Sequence, residues 1–151
     1  MLYFAYGSNM HCAVMRKHAP RAQAIGVAIL AGHRFVITAD GYGSVAPAAG
    51  ENVHGLVWRL TPPDRMTLDA WENVAGGLYR AETLPVEQSG RPSPALVYIA
   101  RDCPIGRPRL GYMEVVIGAP AGTARRLHIF LAGLAAEKRS RGRWTAKIRR
   151  I

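Results

Sequence analysis

Carboxylates are scarce in this chain: ten Asp and Glu stand against twenty Lys and Arg in 151 residues. A catalytic acid therefore has few candidates. Cysteine is scarcer still, and neither Cys12 nor Cys103 has a second Cys or a His at metal-ligand spacing. Neither a disulfide framework nor a zinc site is therefore indicated, and the thiols read as passive. No stretch approaches the roughly 20 apolar residues of a membrane span. The first apolar run also lacks the basic lead-in and small-residue cleavage site of a signal peptide, so a cytosolic protein with no membrane partner is expected. Repeats and low-complexity segments are absent as well.

What is present is hydrophobic residues, 49% of the chain, and a net charge of +10. The length and apolar content fit one domain with a proper core. The charge suggests a nucleic-acid or membrane partner until its distribution is examined. Residues 137–151 hold seven Lys and Arg against Glu137 alone, six of the ten net charges. The chain thus divides into a domain, residues 1–136, and a basic C-terminal tail, residues 137–151. Such a tail either binds nucleic acid or is a solvated end, and the solvated end is the preferred reading. Trp144 and Ile148 count against it, because a purely solvated tail has little use for them.

Leu2 to Tyr6 is a short apolar, aromatic run that stops at Gly7-Ser8-Asn9, and Met10 to His18 has helical character. The pattern predicts a strand, a tight turn and a helix start, with Ser8 and Asn9 as capping residues. Free N–H groups and the positive end of a helix dipole would make that turn an anion cradle. From these residues alone, an ordinary capped turn remains the preferred reading. Arg21 to Leu30 and His33 to Thr38 read as two strands of a hairpin turning at Ala31-Gly32. Val45 to Ala48 is a short extended piece in which Pro47 argues for an edge or bulge, and Val53 to Leu60 is a clear strand. Leu78 to Val86 and Ala95 to Ala100 are further strands, separated by Ser89, Gly90, Pro92 and Pro94. Turns every ten residues or so have the rhythm of a barrel or strongly curved sheet. Leu127, Phe130, Leu131 and Leu134 share a helical face and predict a late covering helix.

Thr61-Pro62-Pro63-Asp64 is the strongest local signal, with Thr as N-cap, Pro at the first helical position and an acid three residues after the cap. It predicts a helix from Pro62 to about Asn73, ended by Gly76-Gly77. Glu72 lies four residues after Leu68 and beside Trp71, on or bordering the face expected to be buried. Desolvation and the negative helix end would both raise its pKa, which suits a proton shuttle. The alternative is a Glu72 that faces solvent or pairs with an arginine such as Arg80. Periodicity weighs the two equally.

Other chemistries fit less well. Ser8 is not in a G-x-S-x-G elbow, and a helix beginning at Asn9 carries His11 and His18 away from the turn. Gly41-Tyr42-Gly43 is followed by no helix, as a dinucleotide fingerprint requires. His33, His54 and His128 occur singly and read as packing residues. Six tyrosines are many for this length; most read as core or rim, although their hydroxyls would also serve to orient a polar ligand.

The stretch Leu2-Tyr3-Phe4-Ala5-Tyr6-Gly7-Ser8-Asn9, followed by a helix, resembles the signature opening of the gamma-glutamylcyclotransferases. Val53 to Trp58 resembles a later strand of that family, and Leu68-Asp69-Ala70-Trp71-Glu72 with Gly77-Leu78-Tyr79 resembles its catalytic-acid segment. Val97-Tyr98-Ile99, Tyr112 and Ile117-Gly118-Ala119 extend the match to about residue 135. Two departures stand out: Asn73 where relatives commonly have Gly, and Pro47 in place of a small or β-branched residue. The resemblance implies an α+β fold with a small mixed, barrel-like sheet, flanking helices and a pocket at one end. It implies that Tyr3, Phe4, Ala5, Tyr6, Gly7, Ser8 and Asn9 surround a gamma-glutamyl group, that Glu72 is the acid/base, and that Tyr112 contacts substrate. The implied reaction cyclises a gamma-glutamyl amino acid or amine to 5-oxoproline without metal or cofactor. The alternative from another class is a non-catalytic binder of a small metabolite, or of nucleic acid through the tail.

Overall fold

The computed structural model describes residues 1–101 and 104–118. The expected helix around residues 127–134, the basic tail, Cys103, His128 and Ala119 lie outside them. The chain forms β1 (Leu2–Ala5), a 3-10 turn (Ser8–Met10), α1 (Cys12–His18), β2 (Gln23–Ile37) and β3 (Gly43–Arg59). It continues through α2 (Pro62–Trp71), β4 (Tyr79–Gln88), β5 (Arg91–Ala100) and α3 (Tyr112–Ile117). The five strands close into a barrel in the order β1-β3-β2-β4-β5. Among the described residues, no helix is long and apolar enough to cross a membrane.

Pairing is antiparallel except where β1 meets β5, in parallel, at Tyr3 and Leu96. β1 thereby lies between β3 and β5 and closes the barrel. Gly55 of β3 explains how closely it does so. A Cβ there would run into the Ala5 carbonyl and, at 2.6 Å, into the Phe4 ring. Only a glycine allows β3 to approach β1 in this way.

The core has two parts. Phe4, Leu30, Val45, Val57, Val86 and Val97 belong to a cluster drawn from all five strands and no helix, which fills the barrel. Tyr3, Ala5, Trp58, Leu96 and Tyr98 belong to a second cluster, shared with Met15 of α1, Leu68 of α2 and Val116 of α3. β1 and β5 therefore bury both faces, which is why they read as continuous apolar runs rather than alternating ones.

Three sequence expectations are corrected. No hairpin turns at Ala31-Gly32: β2 runs on through that point and pairs with β3 from Gln23↔Arg59 to Ile37↔Gly43, with a register shift between Ala31 and His33. The left-handed Gly32 marks a bulge, and Pro47 pairs with His33 at the same irregularity. The reversal lies instead at residues 38–42, where Thr38 N–H donates to Tyr42 at 2.8 Å. Pro92 and Pro94 are not turn residues but lie within β5, opposite Glu87 and Pro85. That end of β5 has a partner on one side only, because β1 meets β5 at Leu96, and proline is tolerated where no ladder bond is required. Ser89 and Gly90, with φ of 52° and 75°, make the turn alone. The third correction concerns the segment after β1. A single 3-10 turn stands where a helix start was expected, and α1 begins only after His11, whose side chain accepts from Ala13 N–H. Ser8 and Asn9 cap nothing.

Candidate active site

α2 begins as the sequence predicts. Thr61 and Asp64 form a reciprocal capping box, and the buried Asp64 also accepts from Arg21 N–H at 3.3 Å. Burial alone would raise the Asp64 pKa. Its bonds to Thr61 and to Arg21 N–H outweigh that, and the net shift is downward. The far end of α2 delivers Glu72, which terminates the helix with its N–H on Leu68 at 2.8 Å. Asn73 then turns left-handed at φ 49°, and Gly77 follows at 79°. The departure from glycine at position 73 thus falls on a conformation that Asn tolerates better than other side chains do. The turn brings Leu78 N–H onto the Asn73 carbonyl and returns the chain as β4.

The Glu72 carboxylate faces the opening of the chain. Asn9 Nδ2 donates to Glu72 Oε1 at 3.0 Å and lies 3.0 Å from the Tyr3 hydroxyl. Burial pushes the Glu72 pKa up to about 7, and the Asn9 bond opposes that rise. Arg80 is engaged with Glu82 instead. Asn9 is itself buried, and its Oδ1 meets no donor among the described residues.

These groups line a cavity of about 280 Å³. All six tyrosines of the chain line it: Tyr3, Tyr6, Tyr42, Tyr79, Tyr98 and Tyr112. Their hydroxyls are not equivalent. Tyr6 donates to the Tyr98 carbonyl, Tyr79 to the Gly43 carbonyl at 2.9 Å, and Tyr98 to Asp69 at 2.7 Å. Asp69 is in turn held by Arg65 Nε at 2.7 Å. Tyr112 instead accepts, from Gly43 N–H at 2.9 Å. With its oxygen so occupied, it retains an O–H to donate, and so does Tyr3, which accepts from Asn9. Burial raises the pKa of both phenols, so both stay protonated at neutral pH. Gly7 fits under Tyr112, where a Cβ would stand 2.8 Å from the phenol oxygen.

Of the opening stretch, Tyr3, Tyr6, Gly7, Ser8 and Asn9 line the cavity; Phe4 and Ala5 do not. Phe4 is fully buried inside the barrel and Ala5 in the other core cluster, so both hold β1 in place rather than meeting the cavity. Glu72 is the sole carboxylate in the lining, and no Lys, Arg or His joins it among the described residues. His11 caps α1, His18 stacks on Trp71 at 3.8 Å, and the His33 ring lies 2.9 Å from the Ala31 carbonyl. No group of three His, Cys, Asp or Glu side chains converges as a metal site would among the described residues.

A family model described as gamma-glutamyl cyclotransferase, AIG2-like, matches residues 3–114. The chain belongs to this family. Among solved structures it is similar to a gamma-glutamyl cyclotransferase at 22% identity, with 90% of this chain and 86% of the other covered and a TM-score of 0.81. An uncharacterised human protein gives 23% identity, 89% and 86% coverage and a TM-score of 0.80. YkqA of Bacillus subtilis gives 22% identity and a TM-score of 0.70, with 87% of this chain covering 54% of that one. At these identities the likeness establishes the fold. No curated protein sequence matches the chain.

Against this gamma-glutamyl cyclotransferase-like framework, sequence reasoning missed Tyr42, Gly43, Leu78, Tyr79 and Tyr98 as cavity walls, and placed Trp71 only as a neighbour of Glu72. Tyr42 and Gly43 sit at the β2–β3 reversal and Tyr98 in mid-strand, so no local spacing joins them. The one available signal was the number of tyrosines.

Proposed function

We propose that the protein is a gamma-glutamylcyclotransferase that converts a gamma-glutamyl amino acid or amine into 5-oxoproline, with Glu72 as general acid/base. The observation that carries this reading is the Glu72 carboxylate, with its pKa near 7, held by Asn9 inside the tyrosine-lined cavity. Such a group is part ionised and part protonated at neutral pH, so it both takes and gives a proton readily.

The chemistry follows from that balance. Ionised Glu72 takes a proton from the substrate's α-ammonium group. The freed amine attacks the γ-carbonyl carbon of the same molecule, forming the ring C–N bond. Glu72 gives its proton to the departing nitrogen as the amide C–N bond breaks, and the second proton of the ring nitrogen then passes to the released amine, which leaves as an ammonium ion while Glu72 is again ionised. Charge develops on the γ-carbonyl oxygen during attack, and in this reading the O–H groups that Tyr112 and Tyr3 retain donate to it. Nucleophile and electrophile share one molecule, so a cavity that folds the substrate into attack geometry supplies much of the acceleration. Effective molarities of order 10⁵ M are typical of well-oriented cases.

The test is to incubate the protein with gamma-glutamyl dipeptides and gamma-glutamyl-lysine and to assay 5-oxoproline. Turnover is expected with the native protein, and its loss with Glu72→Gln. No product from any substrate, or full activity in Glu72→Gln, would sink the proposal.

A further inference from the structure

The reaction requires the leaving nitrogen to receive a proton from Glu72, so the substituent on that nitrogen must emerge beside Glu72 on the open side of the cavity. A cavity of about 280 Å³ is at or below the small end of ordinary ligand pockets. In the reaction proposed above, its polar groups, Glu72, Asn9, Tyr3 and Tyr112, serve the glutamyl head. What remains for the leaving amine is the mouth. Trp71 and Leu78 flank Glu72 in sequence, one at the end of α2 and the other before β4, and Tyr42 completes the rim. These three lining residues are also exposed, at 56%, 41% and 39%. Exposed large apolar side chains that converge on one cavity mouth mark a surface that a ligand covers.

The rim is held in shape before any ligand arrives. Trp71 stacks on His18 with ring centroids 3.8 Å apart and planes at 24°. Tyr42 meets Tyr112 edge to face at 5.6 Å and carries the Arg109 guanidinium 4.6 Å from its ring centroid. Side chains fixed in this way lose little freedom when they bind. Among the described residues the lining offers no cation for a leaving group's carboxylate, and Arg109 gives its Nε to the Asp40 carbonyl at 2.8 Å.

We propose that Trp71, Leu78 and Tyr42 form the leaving-amine subsite and select gamma-glutamyl compounds whose amine carries an aromatic or branched aliphatic side chain. This rests on the cyclotransferase reaction proposed above. Trp71 and Leu78 are its specificity-determining residues, since they contribute apolar surface and no proton transfer.

The test compares gamma-glutamyl-phenylalanine, gamma-glutamyl-glycine and gamma-glutamyl-glutamate on the full chain, by kcat/KM for 5-oxoproline and by calorimetric binding to Glu72→Gln. Burial of a phenyl ring gives about a tenfold or greater preference for the phenylalanine compound over the glycine one. Trp71→Ala and Leu78→Ser each bring that ratio towards one, whereas Trp71→Phe retains most of it; the ratio within each variant serves as its own control. Absent turnover with the binding preference intact would remove the reaction and leave the subsite standing. Equal binding of the three compounds, a preference for the glutamate compound, or a ratio unmoved in both truncated variants would overturn the subsite whatever the turnover.

Discussion

Asn9 Nδ2 donates to Glu72 Oε1 at 3.0 Å, joining the turn after the first strand to the end of a helix 63 residues later. The bond favours the ionised carboxylate, while burial favours the protonated one. Burial prevails, and the contest makes Glu72 sensitive to both neighbours and pH.

The first consequence concerns rate. If Glu72 must be ionised to accept the substrate's proton, kcat/KM rises with pH and reaches half its plateau near pH 7, the Glu72 pKa of the free protein. Asn9→Leu removes the bond that holds the pKa down, so the limb moves to higher pH by about one unit, the scale of one hydrogen bond to a charged group. A kcat/KM–pH profile of the two proteins checks this, and a limb that stays in place or moves down counts against the assigned roles.

Stability carries the opposite signature to a salt-bridged acid. The folded-state pKa of Glu72, about 7, lies above its ordinary value of 4.5, so between those values the folded protein holds a proton that the unfolded chain has lost. Stability therefore falls as pH rises from 4.5 to 7. Glu72→Gln removes this dependence. Denaturant titrations are expected to show the variant gaining on the native protein across that window, by on the order of 2–3 kcal/mol at pH 8.

Gly7 and Tyr112 should behave as one unit. Gly7→Ala places a Cβ 2.8 Å from the phenol oxygen, at a residue whose backbone lies at φ −114° and ψ −144°. We expect kcat/KM to fall about tenfold or more, through displacement of the hydroxyl. In the Tyr112→Phe background, where the oxygen is gone, the same substitution should cost little further. A double-mutant cycle measures the coupling, and simple additivity would refute it.

Position 73 tests the helix exit. Asn73→Gly should change unfolding free energy by a few tenths of a kcal/mol, while Asn73→Ala should destabilise by about 1 kcal/mol because φ of 49° suits alanine poorly. Equal thermal midpoints for the two variants would contradict this.

How far the sequence revealed these features depended on how local their causes were. The Thr61–Asp64 box and the Ser89-Gly90 turn were legible because each is complete within four residues. Gly32 was misread because a left-handed glycine looks alike in a turn and in a bulge, and only the partner strand tells them apart. Glu72 was found by its spacing from Leu68, but the choice between burial and a pairing with Arg80 waited on Glu82, which takes Arg80 instead. The tyrosine walls were hidden for a different reason: they come from β1, the β2–β3 reversal, β4, β5 and α3, and no window of sequence holds them together.

The parallel seam between β1 and β5 bears on how the protein reaches its working form. β1 carries Tyr3 and leads into Gly7 and Asn9, yet its partners, Leu56 to Arg59 and Leu96, follow far downstream. The strand is synthesised first, finds its antiparallel partner only after residue 59, and its parallel partner only once β5 has emerged. Such long-range closure slows folding. The cavity should therefore be completed in the last phase of refolding, after the β2–β3 and β4–β5 ribbons have formed.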